Sequence, residues 1–288
     1  MITTMNTVNQ IFDWSRFTAA VRKEFVENKR TLMFTVIAVY ALLAIVMILG
    51  NVMTGNFGVG LDDIETMGDG IMPHYIVVSY ILAFGLTIVA SFSFKKLTKK
   101  TGRIDLFTSP SSTLEKFLVN VLVYVLGFVV VFFICAQLAD LTRIVTLWYF
   151  HDDIEVPGPI NFLNTFTQAY NFGSTNMFGM SKVFPLALLA NAGLFLLGSV
   201  LWPRLSWLKT FAAMYAVELC LGLLMVLVAL IMGKDNVFGF MDWMSNFVSA
   251  ENLKYWMGGI VLVQVLLYWG LAWYLFKRKD VISLKWWK

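Results

Sequence analysis

The sequence predicts an all-α polytopic membrane protein in which six transmembrane helices follow an amphipathic elbow helix. Of its 288 residues, 59% are hydrophobic and only 14% are charged, which is too apolar for a single soluble domain. A helix needs about 20 apolar residues to cross a bilayer. Six runs reach that length, at about residues 31–53, 74–94, 117–139, 183–202, 211–232 and 256–276. Basic residues also cluster in alternate connections between these runs, as they do in multi-pass proteins.

The segment 12–30 precedes the first run and has the pattern of an amphipathic helix. Its apolar residues Trp14, Phe17, Val21 and Phe25 recur at steps of three and four, and most of its charged residues lie on other faces. Such a helix is expected to lie in the plane of the membrane interface. It is either a plain basic membrane anchor or an elbow helix that contacts a cytoplasmic partner.

The distribution of Lys and Arg predicts the orientation of the chain. All but four of these 22 residues lie in the N-terminal segment, in the connections after the second and fourth runs, or in the C-terminal tail. By the positive-inside rule, both termini are therefore expected in the cytoplasm. A basic chain can also bind nucleic acid. Here the charge marks one membrane face, so no nucleic-acid partner is predicted.

The connection 95–116 is the most informative segment outside the apolar runs. A basic cluster is followed by a predicted short turn and a Ser-Pro pair, and the residues concerned are Ile104, Asp105, Leu106, Phe107, Ser109 and Pro110. Ser112 and Glu115 then have the spacing of a capping box, so the helix of the third run is expected to begin in the cytoplasm. The segment is either a basic juxtamembrane loop or a docking element whose apolar side chains bury in a groove of a partner.

The connections 51–73, 140–182 and 233–255 are expected on the outer face. The first is acidic, and a solvated loop is favoured over a calcium site because its spacing fits no known calcium loop. The second places His151 beside Asp152 and Asp153, which are too few ligands for a typical metal site. The third is apolar and is predicted to form a re-entrant hairpin or an interfacial helix. No metal site is therefore predicted.

Sequence motifs of ATP hydrolysis and of common hydrolases are absent. The chain has no P-loop, no His-Glu-x-x-His motif and no Gly-x-Ser-x-Gly elbow. It is therefore not expected to be an enzyme or to hydrolyse ATP itself.

Glu218 is the one ionisable side chain in the fifth run. An ionisable group at such a depth is costly, and by default it marks a functional site. It shares a helical face with Tyr215 and Gly222. Glu218 either contacts a cationic substrate or a charge-sensitive gate, or it forms a structural hydrogen bond with a neighbouring span. The polar residues proposed for the structural bond are Asn120, Asn191 and Gln264.

The second run carries small and polar residues at steps of four, namely Ser79, Ala83, Thr87 and Ser91. This spacing places them on one face of a helix. The stripe either lines a substrate path or allows close helix packing, since small residues favour close approach.

Four features occur in the order seen in one transporter family. They are the segment FTAAVRKEFVENKR directly before the first run, six runs with both ends inside, the motif TSPSSTLEKF entering the third run, and an apolar outer segment between the last two runs. Together they cover nearly the whole chain. The chain resembles the transmembrane subunit of a type-2 ATP-binding-cassette transporter, the ABC-2 permease family.

The resemblance implies a permease subunit of an exporter in a bacterial plasma (inner) membrane. Two copies, or one copy and a paralogue, would form the translocation path within membrane lipid. Separate ATPase subunits would bind Mg-ATP, so this chain itself would hold no cofactor. The 95–116 connection would act as the coupling helix, and the elbow helix would add a second ATPase contact through Arg22, Lys23 and Glu24.

The resemblance also implies where a substrate would pass. Spans two and five line the dimer interface and the cavity in the family, which assigns Ser79, Thr87, Tyr215, Glu218 and Gly222 to the path. Two other functions remain open. The chain is alternatively a secondary transporter driven by an ion gradient, or a membrane scaffold subunit that transports nothing.

Overall fold

The structure, a computed structural model, describes residues 12–56, 72–150, 159–162, 183–232, 239 and 250–279. Within these ranges every regular element is helical. The α-helices are α1 (Trp14–Asn56), α2 (Met72–Phe92), α3 (Lys100–Thr108), α4 (Thr113–Asn120), α5 (Gly127–Phe150), α6 (Phe184–Leu201), α7 (Ser206–Met232) and α8 (Ala250–Lys277). A 3-10 helix, Lys95–Thr98, precedes α3. A π-helical stretch, Val121–Leu126, joins α4 to α5 without a break, and we call this continuous helix, residues 113–150, the third long helix.

Five helical stretches of the described chain are long and apolar enough to cross a membrane. They are Trp14–Gly50, Thr113–Tyr149, Phe184–Leu201, Ser206–Ile231 and Tyr255–Lys277. The apolar stretch Val77–Phe92 within α2 is shorter. The described residues are therefore all-helical, as predicted, and they include five helices with the length and composition of membrane spans and one shorter apolar helix.

The elbow helix is not a separate element. Residues 12–30 were expected to lie apart from the first span, but α1 runs unbroken for 43 residues. The physical reason is that no Pro or Gly occurs between Trp14 and Leu49 to interrupt the helix. Phe17 and Val21 are two of the four residues of the predicted apolar face. They pack within the protein, against Val119 and Val123 of the third long helix.

Two further boundaries differ from the prediction. The residues expected to form a turn at 104–107 lie inside α3. The third span was expected to end at residue 139, but the helix continues to Phe150. The predicted end was placed where the first charged residue, Asp140, follows the apolar run. In the structure Asp140 pairs with Arg143 within the helix, so the helix continues past this residue. Of the outer loops, residues 57–71, 151–158, 163–182 and most of 233–249 lie outside the described residues.

Helix α6 lies at the centre of the bundle, between α2, α7 and α8. Glycines on α6 allow two of these close approaches. A Cβ at Gly193 would lie 2.6 Å from the ring of Trp269 on α8, and one at Gly198 would overlap Thr210 on α7. Helix α1 instead packs along the third long helix. Within the described chain, the apolar window of α7 has no buried residue, so this helix is attached to the bundle mainly through its first turns.

Candidate partner-docking site at the basic end

The start of α1, the 95–112 connection and the end of α8 lie at one end of the bundle. We call it the basic end. Aromatic rings hold these elements together. Phe94, Phe117 and Phe276 are all buried in one cluster, and the rings of Phe94 and Phe276 lie 4.8 Å apart. The predicted coupling segment is therefore a short, packed helical element and not an open loop.

Glu115 joins the start of α1 to the start of α4. The predicted capping box is confirmed, since the Glu115 amide donates to Ser112 Oγ and the Ser112 amide donates to Glu115 Oε2 at 2.7 Å. The Glu115 side chain is fully buried. Its Oε1 accepts a hydrogen bond from the backbone amide of Asp13 at 2.7 Å and lies 3.3 Å from the guanidinium of Arg16. One carboxylate thus caps α4 and fixes the first turn of α1.

A second carboxylate, Glu24, ties α1 to the 3-10 helix. Glu24 is buried, and its side chain accepts hydrogen bonds from Lys96, Asn28 at 2.7 Å and Tyr124 at 3.2 Å. Lys96 also pairs with Glu27 at 2.7 Å. Burial lowers the pKa of Lys96, but its bonds to the two carboxylates outweigh this effect and raise the pKa above its usual value. Lys96 is therefore a charged group held in place by α1.

A more exposed ion pair joins α1 to α3. Lys23 Nζ lies 2.8 Å from Asp105 Oδ1, and the two side chains are 43% and 48% exposed. The hydrogen bond from Lys23 holds the pKa of Asp105 below its usual value. Exposed pairs of this kind contribute about 1 kcal/mol or less. The pair orients α3 against α1 more than it stabilises the fold.

The apolar residues of α3 do not all face outward, as a docking element would need. Leu106 and Phe107 are half-buried against the Phe117 and Phe276 cluster of the same chain. The Phe107 ring stacks on that of Phe276 at 6.4 Å. Only Ile104, at 41% exposure, leaves an apolar surface on this helix. Leu106 and Phe107 thus already pack within their own chain, and a partner contact through them stays a prediction.

The remaining predicted coupling residues lie nearby. Ser109 Oγ is 2.9 Å from Ser111 Oγ, while Pro110 and Arg22 are exposed. We call four exposed residues the docking face, namely Lys100, Ile104 and Asp105 of α3 and Arg22, the neighbour in sequence of Lys23 on α1.

Ser79 and Thr87, predicted to line a substrate path, are buried within the bundle. Thr87 Oγ1 donates to Ala83 O and accepts from Asn191 Nδ2 of α6, both at 2.8 Å. Ser91 bonds back to Thr87 O. The stripe was predicted either to line a substrate path or to allow close helix packing. Within one chain, its contacts are those of helix packing.

Glu218, Tyr215 and Gly222 lie on the outer surface of α7. Tyr215 is 63% exposed, Glu218 is exposed, and a Cβ at Gly222 would meet no atom within 4 Å. Two of the proposed structural partners of Glu218 bond elsewhere, Asn191 to Thr87 and Asn120 to Lys116 O. Within the described chain Glu218 has no hydrogen bond or ion pair. Within one chain, the predicted path residues of α2 are therefore buried, those of α7 are exposed, and the two groups do not meet.

Sequence reasoning missed a buried ion pair on α5. Arg143 Nε donates to Asp140 Oδ1 at 2.7 Å, and both residues are almost fully buried. Asp140 Oδ2 accepts the amide of Ile160 at 2.8 Å, and Gln137 donates to Ile160 O. The i,i+3 spacing of Asp and Arg in a helix was the available signal. These bonds hold residues 159–162 against α5.

Leu205, between α6 and α7, was also missed. Its φ is 54°, and its side chain is 62% exposed at the basic end. A positive φ is uncommon for a branched residue. The same connection is tied to the 3-10 helix, since Thr98 Oγ1 donates to Pro203 O at 2.9 Å.

Comparison with protein-family models, curated proteins and solved structures finds no match. Among the described residues, no group of three or more His, Cys, Asp and Glu could hold a metal ion. The His151 group lies outside them.

Proposed function

We propose that this chain is the six-span permease subunit of an ABC-2-type exporter in a bacterial inner membrane, with both termini in the cytoplasm. The observation that carries the proposal is the braced helix α3 at the basic end. In an ATP-driven transporter, closure of the ATPase must move the membrane helices through a firm contact. A short helix fixed to the membrane helices meets that need better than a free loop does.

The bracing of α3 supports such a transmission. Asp105 pairs with Lys23 of α1, and the 3-10 helix before α3 is held to α1 through Lys96 and Glu24. The turn after α3 leads into α4, whose cap is Glu115. A partner that displaces α3 would therefore act on α1 and on the third long helix at the same time.

The docking face would supply the contact with the ATPase. It offers one apolar side chain, Ile104, on the same helix as the exposed charges of Lys100 and Asp105. An apolar side chain on a charged surface suits a groove in a soluble subunit. Mg-ATP would be bound by that subunit, and this chain would contribute position and force only.

We expect Ile104→Asp to release the ATPase. The full-length chain, purified in mild detergent from its native host, should co-elute with a nucleotide-binding subunit and with MgATP hydrolysis. Placing a charge at the apolar contact should reduce both by about tenfold, since interface anchors typically contribute 1–2 kcal/mol or more. Ile104 is exposed, so the variant should fold normally.

Leu205→Asp is the matched control, because Leu205 is also apolar and exposed at the basic end but lies outside α3. It should retain the ATPase. If wild-type protein carries no MgATP hydrolysis, the exporter proposal fails and the scaffold alternative gains. If Ile104→Asp retains all of it, α3 is not the docking element.

The outer face of α7 supports a second copy of the chain. Glu218 is exposed in a part of α7, residues 216–232, whose other residues are all apolar, and a carboxyl group inside a bilayer costs about 2.5–3.5 kcal/mol. Pairing α7 with a second permease would remove this group from lipid. It would also place Tyr215, Glu218 and Gly222 in a shared cavity, where Glu218 would meet a cationic or amphipathic substrate.

We expect Gly222→Cys to cross-link two chains. In a Cys220→Ser background, mild oxidation of native membranes should give a covalent dimer, because the new thiol would point into open space on the Glu218 face. Leu224→Cys is the control, since position 224 lies on nearly the opposite side of the helix and is also exposed. Equal cross-linking at both positions, or none at 222, would contradict this arrangement.

A further inference from the structure

A groove of about 1140 Å³ lies on the side of the bundle near the basic end. Its walls are formed by residues 25–37 of α1, by the end of α2 with the 3-10 helix and the first turn of α3, and by residues 123–131 of the third long helix. No residue of the docking face lines it, although Asn28, Lys96 and Tyr124, which bond to Glu24, contribute to its walls. The groove therefore needs its own explanation.

The polar end of the groove is strongly basic. Lys29, Lys95, Lys96 and Lys99 line it, and none of the described residues in its walls is Asp or Glu. Lys96 is neutralised by Glu24 and Glu27. The other three lysines are exposed and have no ion pair within the described chain. The wall thus presents three uncompensated positive charges.

A buried hydroxyl lies at the same end. Ser93 lines the groove and is only 3% exposed. Its Oγ finds no hydrogen-bond partner among the described residues. A buried hydroxyl normally has a partner, so an oxygen-rich ligand in the groove would satisfy Ser93 while it pairs with the lysines.

The other end of the groove is apolar. Ile37, Ile88, Phe128 and Val131 line it. From Lys29 to Ile37 the helical rise of 1.5 Å per residue gives about 12 Å, which is most of the roughly 15 Å of hydrocarbon in one leaflet. The groove is therefore long enough for much of one acyl chain beyond the lysines.

We propose that the groove binds one anionic phospholipid. The phosphate pairs with Lys29, Lys95 and Lys99 and accepts a hydrogen bond from Ser93, and an acyl chain lies against Ile37 and Val131. Basic pockets between membrane helices recognise such headgroups through charge. The lipid is a resident ligand of the fold and not a transported substrate, so this inference does not depend on the proposed ATPase coupling.

The observations favour a lipid over the other occupants. A soluble anion would use the lysines but would leave the apolar length of the groove unoccupied. A second copy of the chain would need to offer an acidic surface, and a zwitterionic lipid would not use the three uncompensated charges. An anionic phospholipid matches both ends of the groove.

Native mass spectrometry of the full-length chain in detergent tests the proposal. Phosphatidylglycerol and phosphatidylcholine with identical acyl chains are titrated in parallel, with inorganic phosphate as a third arm. We expect one retained phosphatidylglycerol per chain and much weaker retention of phosphatidylcholine. Changing Lys29, Lys95 and Lys99 together to Gln should weaken the retention of phosphatidylglycerol roughly 100-fold.

Two further variants make the result specific. The matched control changes Arg204, Lys209 and Lys277 to Gln, three exposed basic residues at the basic end that neither line the groove nor belong to the docking face, and it should bind like wild type. Ile37→Trp fills the apolar part at an exposed position without changing charge, and it should also reduce lipid retention.

Several results would overturn the lipid site. One is equal retention of the two lipids. Another is an equal loss of phosphatidylglycerol retention in the Lys29, Lys95 and Lys99 variant and in the matched control variant. The third is displacement of phosphatidylglycerol by inorganic phosphate at matched concentration. A change in oligomeric state on Ile37→Trp with lipid retention unchanged would assign the groove to a second copy instead.

Discussion

Replacing Asp140 by Ala is expected to destabilise the fold by about 3–5 kcal/mol, the range for breaking a buried ion pair from one side. Asp140 and Arg143 are 1% and 3% exposed, and their contact is 2.7 Å. The variant leaves the guanidinium buried without this carboxylate. It also removes the acceptor of the Ile160 amide, so residues 159–162 should detach from α5. Unfolding in detergent, followed by tryptophan fluorescence, measures the loss.

The double variant Asp140→Leu with Arg143→Met is the control for this pair. The double variant removes the buried guanidinium together with its carboxylate partner, so it should be more stable than Asp140→Ala. Protease cleavage near residue 160 should follow the same order. A single variant as stable as wild type would show that the pair contributes nothing to the fold.

The helical state of the apolar runs followed directly from the sequence. A run of about 20 apolar residues is best satisfied in lipid as a helix, and five of the six predicted runs lie, to within a few residues, inside helices long and apolar enough to cross a membrane. Boundaries were less predictable. The junction at residues 30–31 and the end at residue 139 were placed where polarity changes, but a helix ends only where its backbone is interrupted or capped.

The contacts of the candidate site were likewise predictable only in part. The capping box of Ser112 and Glu115 was predictable because its two residues are three apart. The bonds from Glu115 to Asp13 and Arg16 were not, because those residues are about a hundred positions away. Likewise, the apolar character of Phe107 was visible in the sequence. Its packing against Phe276 depends on how α3 and α8 meet.

Replacing Glu115 by Ala is expected to destabilise the basic end by about 2–5 kcal/mol. The variant loses the cap of α4, which contributes about 0.5–2 kcal/mol, and it removes a buried charged acceptor whose hydrogen bonds contribute about 1.5–3 kcal/mol. The loss should be local. Hydrogen–deuterium exchange should rise at the amides of Asp13 and Ser112, which donate to this carboxylate, while α6 and α8 keep their protection.

Two substitutions separate the cap from the inter-helix bonds. Ser112→Ala removes only the hydroxyl and should cost about 1 kcal/mol without exposing the first turn of α1. Glu27→Ala removes a partly exposed partner of Lys96 and should cost about 1 kcal/mol or less. If Glu115→Ala were no worse than Ser112→Ala, Glu115 would act as a cap only. A larger loss, with exchange rising in α1, would show that Glu115 makes α1 and the third long helix move as one body. A partner that pushes on α3 requires that connection.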